Sequence, residues 1–92
     1  LARKAAVMEV TLKYFAWVRE RIGTGEERIA LPESVRTAGD AMRWLKTRGE
    51  GYAAAFERED LIRTAIDHEH AGHQASIEGA REIAFFPPIT GG

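Results

Sequence analysis

Residues 9–15 alternate, with Val10, Leu12 and Tyr14 on one face and Glu9, Thr11 and Lys13 on the other. That is the period of a half-buried strand. The stretch "AWVRERIGTGEE" then spaces Val18 and Ile22 four apart, enough for one helical turn, before Gly-Thr-Gly at 23–25 reverses the chain. "ERIAL" at 27–31 alternates again with Ile29 and Leu31 inward, and Pro32, lacking an N–H, ends this second strand. Thr37 and the acidic Asp40 three residues on mark a helix start. Ala38, Ala41, Met42 and Leu45 follow at i, i+3, i+4 and i+7, one apolar stripe that Gly49 is expected to close in the left-handed conformation. Trp44 sits at the edge of that stripe, as a packing residue. "GYAAAFERED" predicts a short helix or turn anchored by Tyr52 and Phe56, with residues 57–60 as a solvated face. "LIRTAID" places Ile62, Thr64 and Ile66 on one face of a third strand, and "REIAFF" places Ile83 and Phe85 inward on a last one, after a turn at "EGA".

The order strand, strand, helix, strand, strand belongs to the two-layer α+β architectures, a mixed sheet packed against one main helix. Strand pairs around a single helix suggest a β-grasp, with the first and last strands side by side and parallel in the middle of the sheet. In that arrangement the C-terminal segment leaves from a central strand. The chain then divides into an upstream extension or expression leftover at 1–7, a domain at 8–86 and an extended tail at 87–92.

Composition adds mainly exclusions. Ninety-two residues allow one domain, and 45% hydrophobic with 29% charged residues predicts a folded core. Thirteen basic against 14 acidic side chains leave a net charge of −1, with no clustered Lys/Arg footprint for nucleic acid. No run has the length of a membrane span, and residues 1–7 are too short and too weakly apolar for a signal peptide, so a soluble protein is expected. Cysteine is absent, which removes disulfides, thiolate metal sites and a cysteine nucleophile and is compatible with a cytoplasmic setting.

The candidate chemistry lies in "AFFPPITGG", residues 84–92. Phe85 and Phe86 are strand neighbours and point to opposite faces; with Phe85 in the core, Phe86 faces outward as a candidate partner contact. Pro87 and Pro88 cannot donate to a ladder, and Pro88 holds Pro87 extended, so the chain stands away from the body. Ile89 and Thr90 then offer an apolar anchor and a hydroxyl. Gly91 and Gly92 give the thinnest backbone, able to pass a narrow channel. At roughly 3.3–3.6 Å per residue, the four residues after Pro88 reach on the order of 13 Å, into another protein's cleft. The carboxylate of Gly92 is the candidate reactive group; fraying, or a static contact through Phe86 and the prolines, is the alternative.

"EVTLKYFAWVRERIGTGEERIALP", "TAGDAMRWL" and "EIAFFPPITGG" resemble the small, sulfur-carrying subunit of molybdopterin synthase, a ubiquitin-like β-grasp family. The likeness runs from Met8 to Gly92. A Gly-Gly ending is shared with the thiamin-pathway carrier and other ubiquitin-like modifiers, whereas Phe-Phe-Pro-Pro-x-x-Gly-Gly is closer to the molybdopterin type. The resemblance implies that an E1-like activating enzyme uses ATP to adenylate Gly92 and that a sulfur donor protein displaces AMP to leave a thiocarboxylate. It further implies that the tail, residues Pro87, Pro88, Ile89, Thr90, Gly91 and Gly92, enters the synthase large subunit. There sulfur passes to the cyclic pyranopterin monophosphate precursor, making the dithiolene of molybdopterin, and the main active site lies on that partner in a heterotetrameric synthase. No stably bound cofactor is implied.

Two departures from the family pattern stand out. The acidic Asp-Gly-Asp turn before the last strand reads "EGARE", with Gly79 retained. The segment after the third strand, "IDHEHAGHQASI", introduces His68, His70 and His73, which lack a convincingly spaced further ligand and are expected to be a solvated loop with no metal.

Overall fold

The computed structural model describes residues 7–88. The elements run β1 (Val7–Tyr14), α1 (Ala16–Ile22), β2 (Glu26–Pro32), α2 (Ala38–Lys46), α3 (Glu50–Ala55), a 3-10 turn (Glu59–Leu61), β3 (Arg63–Ile66), β4 (Glu69–Ala71) and β5 (Glu82–Phe86). They build one five-stranded sheet in the order β2-β1-β5-β3-β4. β1 and β5 are parallel neighbours at its centre, Leu12 opposite Ile83 and Tyr14 opposite Phe85, and every other pairing is antiparallel. This is the β-grasp arrangement expected from the strand order. Of the extension expected at residues 1–7, residues 1–6 lie outside the described residues, and Val7 belongs to β1, paired with Pro32.

Alternation makes the sheet two-sided. Val10, Leu12, Tyr14, Leu31, Ile83 and Phe85 are all buried, in one core cluster with the stripe Ala38, Ala41, Met42 and Leu45 of α2. Pro32 is tolerated because β2 is an edge strand. The start of α2 carries a capping box: the Thr37 hydroxyl accepts the N–H of Asp40, and the Asp40 carboxylate accepts the N–H of Thr37. The N–H of Arg36 and then the Arg43 guanidinium hold the Asp40 carboxyl below its ordinary range. Two further free N–H groups at this end are taken by loop carbonyls, Ala38 by Ala75 and Gly39 by His73 at 2.8 Å.

The structure departs from the sequence expectation at three places. Gly49 does not close α2. Thr47 does, in a right-handed conformation, its hydroxyl and N–H both donating to the Trp44 carbonyl at 2.6 and 3.0 Å; Gly49 is fully extended and begins α3. α1 is two turns long rather than one and ends on Gly23 at φ 99°. The segment expected as a solvated loop contains β4, joined to β3 by a tight hairpin in which Asp67 and His68 take φ values of 50° and 74°. Two successive positive φ values are the signature of a hairpin turn whose twist suits the strands.

Gly51 lets α1 and α3 touch. A Cβ there would lie 2.6 Å from the Arg21 carbonyl oxygen and 3.5 Å from the Ile22 Cα, both backbone atoms of α1. We therefore expect Gly51→Ala to force the two helices apart and to cost about 1–3 kcal/mol, despite alanine's better helix propensity. Denaturant unfolding measures this, and an unchanged or raised stability would mean that the close approach is not present.

Candidate functional site

The tail begins where the central pair ends. Phe85 is fully buried, its ring 5.2 Å from Phe56 in an edge contact and 6.0 Å from Tyr14 in a stacked one. The N–H of Phe15 donates to the Phe85 carbonyl at 3.1 Å, one step past the last register pair. These contacts fix the root of the tail to the core. Pro87 and Pro88 follow without strand pairing, both half-buried. The expectations placed on Ile89, Thr90, Gly91 and Gly92 concern residues outside the described range.

Phe86 takes the face opposite Phe85, the open face of the sheet, and is half-buried. The ring of His70, from β4, meets it edge-on at 5.5 Å and an interplanar angle of 79°. Phe15 is the residue that the sequence reading passed over. Its backbone remains extended at φ −128° and ψ 153°, so the alternation of β1 runs one residue further and sends Phe15 to the Phe86 side of the sheet, 47% exposed. The signal was present in the alternation, since an apolar residue at an outward position breaks the pattern of Glu9, Thr11 and Lys13. Ala16, next in the chain, holds φ at 55°, a left-handed value that costs a non-glycine residue roughly 1–2 kcal/mol.

The turn before β5 is held with Ala80 in place of the acidic residue that the resemblance implies. Gly79 supplies a φ of 76°, and a single oxygen of Asp67 accepts the N–H groups of Arg81 and Glu82 at 2.8 and 3.0 Å. Asp67 thus performs from the β3–β4 turn the anchoring that a carboxylate in the turn itself could have given.

The three histidines do not converge. His73 is bound through Nε2 to the Ile62 carbonyl at 2.7 Å, His70 packs on Phe86, and His68 lies 3.7 Å from Glu82. Among the described residues, no group of three or more His, Cys, Asp or Glu is placed to hold a metal ion, and no helix is long and apolar enough to cross a membrane. Trp44 packs against the core with Arg48 5.5 Å above its ring.

Behind the tail root, on the helix side, lies a polar clasp. One oxygen of Glu27 accepts both the Tyr14 hydroxyl at 2.8 Å and the Tyr52 hydroxyl at 2.6 Å, and Arg48 stands 4.0 Å from the other oxygen. It ties β1, β2 and α3 together. Burial, reinforced by donation to the anionic Glu27, pushes both phenols above their ordinary value of 10.0.

The sheet order, the parallel central pair and the helix across one face define a ubiquitin-like β-grasp protein with its last strand at the centre. The chain belongs to the ThiS family, whose sequence model matches residues 12–92. It is 35% identical over 79 residues to the molybdopterin synthase sulfur carrier subunit of Haemophilus influenzae, covering 86% of this chain and 94% of that one. With the Escherichia coli protein of the same name it shares 30% identity over 89 residues, covering 90% and 99%. Among solved structures, SAMP1 from Haloferax volcanii, a small archaeal modifier protein, superposes with a TM-score of 0.68 at 26% identity over 92% of this chain and all of that one. The family resemblance carried by the sequence motifs is therefore met by relatives bearing that name.

The clasp makes a prediction about alkaline pH. Because the folded state raises both phenol pKa values, its contribution to stability is complete below pH 10.0, where the unfolded phenols ionise, and is lost as pH climbs above that value. Tyr14 and Tyr52 are the chain's two tyrosines, so tyrosinate absorbance of the folded chain should rise at higher pH than that of the unfolded chain. Two phenols ionising at their ordinary value in an intact fold would show that Glu27 does not hold them.

Proposed function

We propose that this chain is a sulfur carrier that delivers sulfur from a C-terminal thiocarboxylate on Gly92 to the molybdopterin precursor, as the small subunit of a molybdopterin synthase. The observation that carries the reading is the match to two curated relatives of that name over nearly their whole length, in a family match that extends to residue 92. The geometry suits the role. A central strand, locked by Phe85 between Tyr14 and Phe56, releases Pro87 and Pro88 beside an apolar rim formed by Phe15 and Phe86.

The chemistry follows from the weakness of a carboxylate as an electrophile. An E1-like activating enzyme couples Gly92 to AMP at the expense of ATP, and a sulfur donor protein expels AMP to leave the thiocarboxylate. The large subunit then receives the tail and orients the sulfur against the cyclic pyranopterin monophosphate. Sulfur is carried without a cysteine, consistent with a chain that has none. The acid–base groups belong to the partner, and Gly92 acts as a tethered cosubstrate. A carrier or modifier of another pathway, thiamin-type included, is the second reading, favoured by the fold shared with SAMP1 and by the match to the ThiS family model.

Two experiments test this. Incubated with its activating enzyme, ATP and a sulfur source, the protein should gain the mass of one oxygen-to-sulfur exchange at Gly92; deletion of Gly92, or one appended residue, should abolish the gain. An unchanged mass under conditions that load a known carrier counts against any carrier reading. Loading that supports thiamin-type but not molybdopterin synthesis selects the second reading. Separately, Phe86→Ala should weaken association with the large subunit by about tenfold or more while leaving most of the stability. A stability loss of about 3–5 kcal/mol with binding by the folded fraction intact would make Phe86 a core residue instead.

A further inference from the structure

The open face of the sheet handles its charges differently on its two sides. Over β1 and β2 carboxylates stand among the cations: Lys13 lies 3.3 Å from Glu82 and Arg28 3.2 Å from Glu9, and Glu26 and Asp67 line the same depression as Arg81. Across β3 and β4 the pattern changes. Arg63 is directly opposite Phe86 in the register, exposed, and His70 covers the edge of the same ring. Between them is a depression of about 330 Å³ whose lining includes Arg63, Thr64, His70, Ala71 and His73 and no carboxylate.

The Thr64 hydroxyl and one ring nitrogen of His73 are already used: the hydroxyl donates to the Ala71 carbonyl at 2.6 Å, and the His73 ring is bound to Ile62. Arg63 and His70 make no ion pair or side-chain hydrogen bond among the described residues. In a chain with one more acidic than basic residue, an acid-free pocket walled by guanidinium and imidazole is a local arrangement, not a consequence of composition.

We propose that this basic depression receives an acidic side chain, Asp or Glu, of the large subunit, so that a carboxylate contact to Arg63 flanks the apolar contact at Phe86. The inference rests on the reading under Proposed function and adds to it the kind of surface that the partner presents. The guanidinium offers a planar fork of donors that matches a carboxylate in pairs. At the rim of an apolar contact, such a charge speeds encounter and selects an acidic partner over a basic one. The neighbouring depression over β1 and β2 is less suited to a carboxylate, because Lys13 and Arg28 are already paired and Glu9, Glu26, Asp67 and Glu82 line it.

Association of the full chain with the synthase large subunit of the same organism, measured from low to high ionic strength, tests the inference. Wild-type affinity should fall as salt rises. Arg63→Glu should lower it by about tenfold or more at low salt and remove most of the salt dependence, Arg63→Gln should show a smaller loss, and both should melt as wild type does. Arg58→Glu makes the same change in net charge away from the sheet, at a residue paired with Asp60, and should leave affinity as it is. If Arg63→Glu binds with wild-type affinity and salt slope, this inference is overturned while the proposed function stands. If it fails to fold, Arg63→Gln decides by the same comparison. Should the wild-type chain not associate at any salt concentration, the proposed function fails and takes this inference with it.

Discussion

The parallel pairing of β1 with β5 is the constraint on which the rest of the structure depends. Parallel neighbours need a long crossover, and the whole middle of the chain, from β2 through β4, supplies it. That excursion provides α2 to cover one face, and it returns the chain to the centre of the sheet for its final strand. There β5 is flanked on both sides, by β1 and β3, and Phe85 enters an aromatic cluster with Tyr14 and Phe56. A segment that leaves from such a position departs from the most firmly held strand available. The two prolines then end pairing at once, because neither has an N–H to offer the ladder.

Polar groups secure this arrangement at the points where burial alone would leave freedom. Asp67 fastens the entry to β5 by accepting two consecutive N–H groups, and the N–H of Asp67 donates to the Glu82 carbonyl at 2.9 Å in return. Glu27 draws Tyr14 and Tyr52 onto one oxygen, so α3 is tied to the strand that neighbours the tail. A carboxylate accepting two phenol protons forms charge-assisted bonds, about twice as strong as neutral ones. The pole from which the tail leaves is therefore tied by hydrogen bonds as well as packed.

Most of this could be read from the chain because the rules involved are local. Alternation at Val10, Leu12 and Tyr14, the stripe at Ala38, Ala41, Met42 and Leu45, and the opposed pair Phe85 and Phe86 each reflect the geometry of one element. What escaped depends on context. β4 is three residues long with two of them charged or imidazole, and its turn uses Asp67 and His68 at positive φ, where glycine is the usual marker. Gly49 looked like a helix stop, but the Thr47 hydroxyl satisfied the last turn first. Phe15 was counted as the end of a strand when its meaning lay in which face it took. Arg63 carried no signal at all, since its interest comes from standing opposite Phe86 in a register that only the assembled sheet defines.

The division of charge across the open face has a physical consequence for recognition. Cations held by their own neighbours at the β1–β2 side gain little from a partner's carboxylate, since an existing exposed pair must first be broken and its worth is about 0–1 kcal/mol in either arrangement. A cation without such a neighbour has nothing to break. On the inference drawn above, a partner would be selected around Phe86, where the apolar ring and the guanidinium of Arg63 lie side by side, next to the end of β5. A partner that matches both would be oriented before the tail is engaged, because the charge acts at longer range than the ring.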